Sequence, residues 1–568
     1  MNNKSIVTVL AGAAVVSLTN CDSPADNTKK QPNIIFILAD DLGYMDVGAF
    51  AAGMTDAKPS EMFYETPEIN KMIANGIAFS QAYACPLCSP TRSSLLTGKY
   101  ASRLGFTTAV PPRKTYYNTA TELPDGFYIH DVIYHGDDIP IQQAWINATT
   151  NTAIPRGYKI DGGWRETVIT DVMTDYRAAF IGKWHVGGVG ANGYSPVDLG
   201  FDGLAWFDAG GSTYFNWRNG WEANSKEGYP DIPQDQLLLG YPGELSEKEY
   251  LTDDLTEKAV NFIHSKAENQ DRPFFLYLCH FAVHTPIEAP EEDVAYFDAK
   301  ETKGWNGHLD ATYAAMIKRM DDGIGRIMHA LEESGLEENT LVIFMSDNGG
   351  FSWQMPSRDV PITSNHPLKG GKAQMFEGGI RVPLVFYWKG KIESGAWSNV
   401  TVDVNDIFPT ILDVAGYDTD DMDIDGESLC NLWNDPGNSN NSYCRNTFFW
   451  HYPFNVIVDN ADDGFPLTPH SAIRKGDYKL LFDWHGRLKL YNIAEDISES
   501  TNLMREKPEI TSKLFAELIE YLENNVERRY WPVPNPDYDP AREARDVPFI
   551  NLYQLFKEGE NIVEYANF

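Results

Sequence analysis

Residues 33–41 read Asn-Ile-Ile-Phe-Ile-Leu-Ala-Asp-Asp, and this stretch indicates the architecture of the chain. The run up to Ala39 is uncharged, as expected for a strand that is covered on both faces of a sheet. Mainly apolar runs recur further along, separated by segments with helical patterns, at 177–181, 274–279, 341–345 and 382–388. Apolar strands that alternate with helices predict an α/β protein in which a mainly parallel sheet lies between layers of helices.

Polar side chains follow two of these runs at the point where each run ends. Asp40 and Asp41 follow the first run, and Asp347 and Asn348 follow the run at 341–345. Each pair alone is typical of a turn or a helix cap. Since the carboxyl ends of parallel strands meet at one edge of a sheet, the two pairs would bring three carboxylates and an amide together there. Repulsion among the carboxylates calls for a cation, and their oxygen atoms suit calcium or magnesium.

A lysine and a histidine follow the run at 177–181, in the sequence Gly182-Lys183-Trp184-His185. Side chains alternate along a strand, so Lys183 and His185 are expected on one face at the same edge of the sheet. A single lysine near a strand end is commonly a solvated charge, and a single histidine is commonly a structural hydrogen bonder. Their position beside the expected carboxylate cluster favours a catalytic role.

A second distinctive segment reads Cys88-Ser89-Pro90-Thr91-Arg92 and continues into Leu-Leu-Thr-Gly at 95–98. Proline fixes φ near a helix start, so the pattern predicts Cys88 at a helix N-terminus, a position that favours anions. Arg92 offers a forked donor for an anionic group at residue 88. Cys85 and Cys88 also form a C-x-x-C, typical of a redox pair or half of a zinc site. However, no second C-x-x-C follows, and that interpretation leaves the proline and arginine unexplained.

Together these segments resemble the formylglycine-dependent (type I) sulfatases of the alkaline-phosphatase-like superfamily. The resemblance spans about residues 32–500. Besides Gly182 to His185, it includes two further motifs: His284-Thr285-Pro286, and Gly370-Gly371-Lys372 ahead of Glu-Gly-Gly-Ile-Arg-Val-Pro at 377–383. In that family an enzyme oxidises the cysteine to formylglycine, whose hydrate supplies the nucleophile and a metal ligand. The resemblance therefore implies an alkaline-phosphatase-like fold, a formylglycine made from Cys88 by a maturase, and one bound Ca²⁺ per chain.

The resemblance also implies a role for each site residue. The catalytic residues would be Cys88, Arg92, Lys183, His185, His284 and Lys372, and the calcium ligands would be Asp40, Asp41, Cys88, Asp347 and Asn348. The hydrate at 88 would attack sulfur, while the two lysines, Arg92 and the metal neutralise charge on the sulfuryl oxygens. His284 would protonate the departing sugar oxygen. His185 would then take a proton from the second hydroxyl, so that sulfate leaves.

These features predict a sulfatase that acts on a sulfated carbohydrate. By analogy, algal polymers such as ulvan, carrageenan or fucoidan, or glycosaminoglycans, are candidate substrates. One alternative is a phosphodiesterase or phosphonate monoester hydrolase of the same superfamily. Another is a non-catalytic envelope lipoprotein that binds sulfated glycan, although the intact set of motif residues argues against lost activity.

Two features depart from compact members of the family. Lys99 stands where arginine is common. An insertion at about 105–164 holds several basic residues among many aromatic ones: Arg113, Lys114, His130 and His135. The insertion is either a surface elaboration or a wall of the substrate site.

The N-terminus resembles a bacterial lipoprotein signal. Lys4 and an apolar run from Ile6 to Leu18 precede Cys21, and the run is too short for a stable membrane span. An ordinary cleaved secretory signal is the alternative, because Asn20 is larger than the residue usual before a lipidated cysteine. We expect export to the periplasm or cell surface, with membrane contact only through a lipid on Cys21. Residues 22–31 are polar and predict a flexible tether.

Length and charge bound the remaining expectations. The chain has 568 residues and a formal net charge of −35, which argues against nucleic acid as a partner.

After residue 21, we expect a catalytic domain at 32–435 and a smaller C-terminal subdomain at 436–568. Alternating patterns at 470–474, 478–482 and 487–492 predict an antiparallel meander, followed by a helix that begins near Pro508 and then a tail that wraps the surface. Cys430 and Cys444 either form a disulfide or remain free.

Overall fold

The computed structural model describes residues 31–55, 57–109, 134–135, 164–186, 195–207, 210–218, 249–268, 271–302, 304, 307–352, 360–453, 469–532 and 549–567. The expected signal sequence and nearly all of the tether lie outside the described residues. So does most of the insertion at 105–164, including Arg113, Lys114 and His130. His135 is described only as part of a short strand.

The chain forms sixteen described strands and thirteen described α-helices. The strands are β1 (Asn33–Ala39), β2 (Ile77–Phe79), β3 (Ala82–Tyr83), β4 (Tyr134–His135), β5 (Trp164–Arg165), β6 (Arg177–Lys183), β7 (Asp202–Phe207), β8 (Phe274–Cys279), β9 (Thr340–Ser346), β10 (Leu384–Tyr387), β11 (Ala396–Ser398), β12 (Val402–Asp403), β13 (Thr447–Tyr452), β14 (His470–Lys475), β15 (Tyr478–Asp483) and β16 (Arg487–Asn492). The helices are α1 (Gly48–Thr55), α2 (Pro67–Ala74), α3 (Cys88–Thr97), α4 (Ala101–Leu104), α5 (Ile169–Val172), α6 (Leu251–Glu268), α7 (Glu291–Ala299), α8 (Ala311–Glu333), α9 (Glu377–Ile380), α10 (Ile407–Ala415), α11 (Pro508–Asn525), α12 (Leu552–Glu558) and α13 (Ile562–Tyr565).

The central sheet has eight strands in the order β11-β2-β10-β9-β1-β8-β6-β7. Its strands are parallel except β10, which pairs antiparallel with both β9 and β2. The predicted α/β fold with a mainly parallel sheet is therefore confirmed. The run at 382–388 does form a strand, although its direction is opposite to that of its neighbours.

The register of the sheet brings the ends of four strands to one level. Ala39 lies opposite Ser346, Leu38 lies opposite Cys279, and Cys279 lies opposite Gly182. The residues that follow these positions therefore leave the sheet together. This alignment places the polar residues after β1, β6 and β9 at a single carboxyl edge, as the sequence predicts.

Helices cover both faces of the central sheet. Side chains of β1 alternate between two apolar cores: Ile35 and Ile37 face the core under α2, α6 and α8, whereas Phe36 faces the core under α3 and α10. One face of α8 is fully buried, at Tyr313, Met316, Met320, Ile324 and Ile327. Burial of these faces removes apolar surface from water and stabilises the layered arrangement.

The C-terminal part of the chain forms an antiparallel sheet in the order β13-β14-β15-β16. The meander of β14 to β16 and the helix α11 are as predicted, and β13 adds a strand that the sequence reasoning missed. Beyond Trp531, the expected wrapping tail is described only in part. Its described end joins the C-terminal core through Leu552 and Ile562, and the Asn567 N–H donates to the Gly486 carbonyl.

Two further expectations concern cysteines and the membrane. Cys430 and Cys444 are free thiols in this structure. None of the described helices is both long enough and apolar enough to span a bilayer.

Candidate active site

Cys88 occupies the first position of α3, as the sequence predicts. Leu87 before it is extended, so the chain turns sharply into the helix at residue 88. The Cys88 side chain is buried, and its Sγ lies 3.3 Å from Nδ1 of His185. Burial raises the pKa of the Cys88 thiol, and the positive charges of Lys183 and Lys372 oppose that rise. Residue 88 is thus presented at a helix N-terminus beside a histidine and two cations.

The Cys85 thiol faces a different environment. Its Sγ lies 4.0 Å from the Ser94 hydroxyl, and its backbone N–H donates to the Thr91 hydroxyl. Burial raises the pKa of Cys85 to about 12, which keeps the group as a poorly reactive thiol. The structure therefore offers no support for a redox pair of Cys85 with Cys88.

The two expected polar pairs converge at the edge of the sheet. Asp40, Asp41, Asp347 and Asn348 are all buried, and oxygens of Asp40 and Asp347 lie within 4.8 Å of each other and of the Cys88 sulfur. Among the described atoms, Asp40 Oδ1 and Asn348 Oδ1 are buried without a hydrogen-bond partner. Orphaned buried oxygens in a carboxylate cluster fit a hard cation such as calcium, which binds six to eight oxygen ligands.

Two lysines partly neutralise this cluster. Lys183 Nζ lies 2.6 Å from Asp40 Oδ2, and Lys372 Nζ lies 2.7 Å from Asp41 Oδ2. Burial alone would raise the pKa of Asp41, but the charge of Lys372 brings it below its ordinary value. Burial raises the pKa of Asp40 well above its ordinary value despite Lys183, and the charge of Asp347 adds to the rise. A cation bound among these carboxylates would offset the effect of burial on the pKa of Asp40.

Arg92 lies deeper than the sequence reasoning assumed. Its side chain is fully buried; Nε and Nη2 donate to Asp347 Oδ2 at 3.2 and 2.7 Å, and Nη1 donates to the Lys183 carbonyl at 2.7 Å. We expected Arg92 to hold the sulfuryl group. In this structure its guanidinium, one helical turn after Cys88, binds Asp347 and the end of β6, and the role toward the sulfuryl group stays a prediction.

The two histidines lie on different sides of the site. His185 is buried and adopts a positive φ of 54°, and its Nδ1 contacts the Cys88 sulfur. His284 donates from Nδ1 to the Thr285 carbonyl at 2.7 Å, which leaves Nε2 facing Asp41 Oδ2 at 3.7 Å. Burial and the charge of Lys372 lower the pKa of His284 to about 3, so the ring is neutral in this structure.

Several residues that hold the site in place were not identified from the sequence. Tyr313 donates to Asp46 at 2.8 Å and lies 3.2 Å from the Asp41 carbonyl oxygen. Asn365 donates to the carbonyls of Gly350 and Gly370 and so joins the loops after β9 and before Lys372. These contacts join residues far apart in the sequence, and no local pattern reports them.

A glycine pair, Gly210-Gly211, was also missed. The Gly210 carbonyl accepts a hydrogen bond from Lys183 Nζ at 2.7 Å, and both glycines lie against the site histidines. Two consecutive glycines shortly after the strand β7 were the available signal, because such pairs mark turns and close approaches of the backbone.

Comparison with known proteins gives consistent matches. The family model described as Sulfatase matches residues 32–127 and 147–417, which is more than half of the chain. A second model, N-sulphoglucosamine sulphohydrolase, C-terminal, matches residues 371–528.

Individual relatives agree with the family models. A sulfatase of Formosa agariphila is 28% identical over 95% of this chain and 96% of its own length. N-acetylgalactosamine-6-sulfatase of Mus musculus is 30% identical over 71% of this chain and 66% of its own length. Among solved structures, Ps i-CgsB in complex with k-i-k-neocarrahexaose has a TM-score of 0.63 and 28% identity, over 89% of this chain and 95% of that one.

Proposed function

This chain belongs to the sulfatase family, and on that premise we propose that it removes sulfate from sulfated carbohydrates by means of a formylglycine at residue 88 and one calcium ion. The observation that carries the proposal is the convergence at residue 88. Its side chain lies 3.3 Å from His185 and within 4.8 Å of oxygens of Asp40 and Asp347, at the N-terminus of α3. The proposed nucleophile at residue 88 thus lies beside a proposed proton acceptor, His185, and the proposed metal ligands Asp40 and Asp347.

Calcium fits the ligand set better than a soft metal does. Asp40, Asp41, Asp347 and Asn348 offer hard oxygen donors, and two of those oxygens have no other partner among the described atoms. The side chain at residue 88 would complete the set. Once oxidised and hydrated, residue 88 would supply the nucleophile. Bound calcium would polarise the sulfuryl group.

The side chains of this protein would then bind the ester and move protons. Lys183 and Lys372 stand at the cluster with ammonium groups that stabilise negative charge on the sulfuryl oxygens. His284, held by its Nδ1–H bond to Thr285, directs Nε2 to the departing sugar oxygen. Because Nε2 carries no proton in the neutral ring, His284 must first take up a proton from water at Nε2, which it then delivers to that oxygen. His185 Nδ1 accepts a proton from the side chain at residue 88 in the step that releases sulfate.

The substrate is proposed to be a sulfated polysaccharide or its oligosaccharides. Support comes from the relatives, since one is named for N-acetylgalactosamine-6-sulfate chemistry and one was solved with neocarrahexaose. Algal polymers such as carrageenan and ulvan, and glycosaminoglycans, are therefore the first substrates to examine.

Export and anchoring complete the proposal. The pattern before Cys21 supports delivery to the periplasm or cell surface with a lipid on that cysteine, and oxidation of Cys88 would need a formylglycine-generating maturase as a partner. Incorporation of a labelled fatty acid that is lost in Cys21→Ser would support the anchor. Labelling that persists in that variant would contradict it.

The test of function is sulfate release from a panel of defined sulfated oligosaccharides, with an aryl sulfate and an aryl phosphate as reference esters. Protein co-expressed with a maturase should release sulfate from at least one sugar and should turn over the aryl sulfate far better than the aryl phosphate. Cys88→Ala is the matched inactive control. Preferred turnover of the phosphate ester would favour a phosphodiesterase or phosphonate hydrolase, and release from no sugar would contradict the carbohydrate assignment.

A further inference from the structure

A short segment after β7 lies against both histidines of the site. A methyl group added at Gly210 would lie 3.1 Å from Cε1 and Nε2 of His185. One added at Gly211 would lie 3.2 Å from Nδ1 and 3.3 Å from Cε1 of His284. Two adjacent glycines therefore each touch the ring of a different histidine.

The segment is anchored at both ends. Lys183 donates to the Gly210 carbonyl at 2.7 Å, which ties its start to the end of β6. At its other end the Tyr214 hydroxyl donates to the Phe281 carbonyl at 2.6 Å and lies 2.9 Å from the His284 carbonyl oxygen. Tyr214 is fully buried, so these bonds are shielded from water. Residues 210–214 are thus fixed between the end of β6, two residues before His185, and the loop that carries His284.

We propose that residues 210–214 form a histidine clamp whose two glycines position the two histidines for different steps of the reaction. Gly210 sets the ring of His185 against the side chain at residue 88. Gly211 sets the ring of His284 toward the leaving-group oxygen. This inference rests on the proton-transfer roles proposed above for the two histidines, and it assigns positioning roles to residues that the family motifs do not include.

The physical reason is the lack of space for a side chain. Contacts of 3.1–3.3 Å are tighter than ordinary van der Waals contact, so a methyl group would displace each ring by a few tenths of an ångström. At Gly211 the methyl group would also lie 3.1 Å from the Thr285 carbonyl oxygen, which holds Nδ1 of His284. Displacement of a proton-transfer group on this scale costs on the order of 10-fold in rate.

The experiment compares Gly210→Ala and Gly211→Ala in the mature, calcium-loaded protein. Gly53→Ala is the matched control, because a methyl group there meets nothing within 4 Å. The substrates are an aryl sulfate, whose leaving group needs little protonation, and the sulfated oligosaccharide that the wild type cleaves. Intact mass reports sulfate that remains on the protein during turnover.

We expect a separation between the two glycines. Gly211→Ala should lower kcat/KM for the sugar sulfate on the order of 10-fold and leave aryl sulfate turnover nearly unchanged. Gly210→Ala should lower kcat for both substrates by about the same factor and increase the sulfate retained on the protein. Equal effects of both variants on both substrates, or behaviour like that of Gly53→Ala, would overturn the clamp.

Parallel variants separate failure of the clamp from failure of the histidine assignment. His284→Ala and His185→Ala should show the same two patterns with larger amplitude. If the histidine variants show the two patterns and the glycine variants do not, the clamp is wrong. If the histidine variants do not show the two patterns either, the proposed histidine roles are wrong as well. Should either glycine variant fail to fold in a thermal melt, Tyr214→Phe, which removes only the hydroxyl that bonds beside His284, must reproduce the Gly211→Ala pattern. A wild-type profile for a folded Tyr214→Phe would then refute the clamp.

Discussion

At the scale of single residues, Cys85 and Cys88 differ in surroundings although only two residues separate them. Cys88 begins α3 and faces His185, whereas Cys85 faces Ser94. A maturase that reads the chain before it folds would depend on the proline and arginine that follow Cys88 at fixed spacing. Of these two cysteines, the fold places Cys88 beside His185 and the acidic cluster.

We therefore predict that Cys88 alone is converted to formylglycine. Peptide mass spectrometry after co-expression with a maturase should show the mass of the aldehyde at 88 and an unmodified thiol at 85. Cys85→Ala should keep wild-type activity or mature more completely, because it removes a competing thiol in an oxidising compartment. Full activity of a protein with unmodified Cys88 would contradict the prediction.

The metal cluster supports a second prediction at this scale. Removal of calcium leaves buried carboxylates that repel one another, so chelation should abolish turnover and lower the melting temperature, and added calcium should restore both. Asp347→Ala should be inactive and should lose the calcium-dependent shift in melting temperature. Loss of Asp347 also removes the partner of the buried Arg92, so the calcium-dependent difference is the measurement that reports on the metal.

The matched control is Asp420→Ala, in an exposed acidic loop away from the cluster. It should retain the calcium-dependent shift and wild-type activity. A melting temperature for the wild type that is the same in strong chelator and in calcium, with full activity in both, would contradict the metal assignment.

At the scale of elements, the start of α2 is capped by a residue of α8. The backbone N–H groups of Glu68 and Ile69 donate to the two carboxylate oxygens of Asp321, at 2.9 and 2.8 Å. The first N–H groups of a helix have no partner within that helix, so a buried carboxylate from another helix satisfies them. The contact fixes α2 against α8 under the central sheet.

Asp321→Ala should lower the free energy of unfolding by about 1–2 kcal/mol, the usual cost of losing an N-terminal cap. Denaturant unfolding measures it. The neighbouring Asp322 is a matched control, because it is half exposed and, among the described residues, pairs with Lys318 one turn away. Asp322→Ala should change stability by less than about 0.5 kcal/mol. Equal effects of the two substitutions would mean that Asp321 does not cap α2.

At the scale of the whole molecule, a buried ionic cluster joins the C-terminal sheet to the loops of the site. Lys479 of β15 lies 2.7 Å from Glu377 of α9 and 2.8 Å from Glu499, and none of the three side chains is exposed. Glu377 also accepts hydrogen bonds from Tyr83 and Arg381. The helix α9 begins five residues after Lys372. The ionic cluster therefore connects the C-terminal sheet to the loop that carries Lys372.

The cluster predicts a dependence of stability on pH. Burial raises the pKa of Glu499 to about 7 against the pull of Lys479, and the charge of Glu377 adds to the rise. The folded protein therefore binds a proton at Glu499 that the unfolded chain loses near pH 4.5. It follows that this group makes the free energy of unfolding decrease as the pH rises from about 4.5 to 7, by roughly 3 kcal/mol at most. Against the effect of burial, the charges of Lys479, Arg381 and Arg474 lower the pKa of Glu377, so Glu377 stays ionised beside Glu499.

Glu499→Gln should flatten this part of the pH profile. Other buried carboxyls with raised pKa values, such as Asp46 and Asp406, titrate in the same range, so the difference between wild type and variant isolates Glu499. Denaturant unfolding at pH 5, 6, 7 and 8 measures that difference. The exposed Glu495→Gln is the control and should follow the wild type. A difference between wild type and Glu499→Gln that is constant with pH would show that Glu499 does not titrate in this range.

Much of the site was predictable because its signals are local. Uncharged runs identified β1, β8 and β9, and the polar residues directly after β1 and β9 identified the acidic cluster that we propose as the metal site. A proline two residues after Cys88 indicated the start of α3. Each of these inferences needed only a few consecutive residues, because strand burial and helix initiation depend on the local chain.

Other features are decided by contacts between distant segments, and the sequence alone did not reveal them. Arg92 bonds to Asp347, 255 residues away. The direction in which the Arg92 side chain leaves α3 could therefore be interpreted only once its partner at the sheet edge was known. Lys479 reaches Glu377 across 102 residues, and the glycine pair at 210–211 became meaningful only when both histidine rings were found against it. The chain by itself determined the strands, the edge and the residue types that carry the chemistry, because those follow from local patterns of apolar and polar side chains. Only the tertiary structure decided which charge faces which partner, because a buried charge takes the partner that packing places within reach, whatever their separation along the chain.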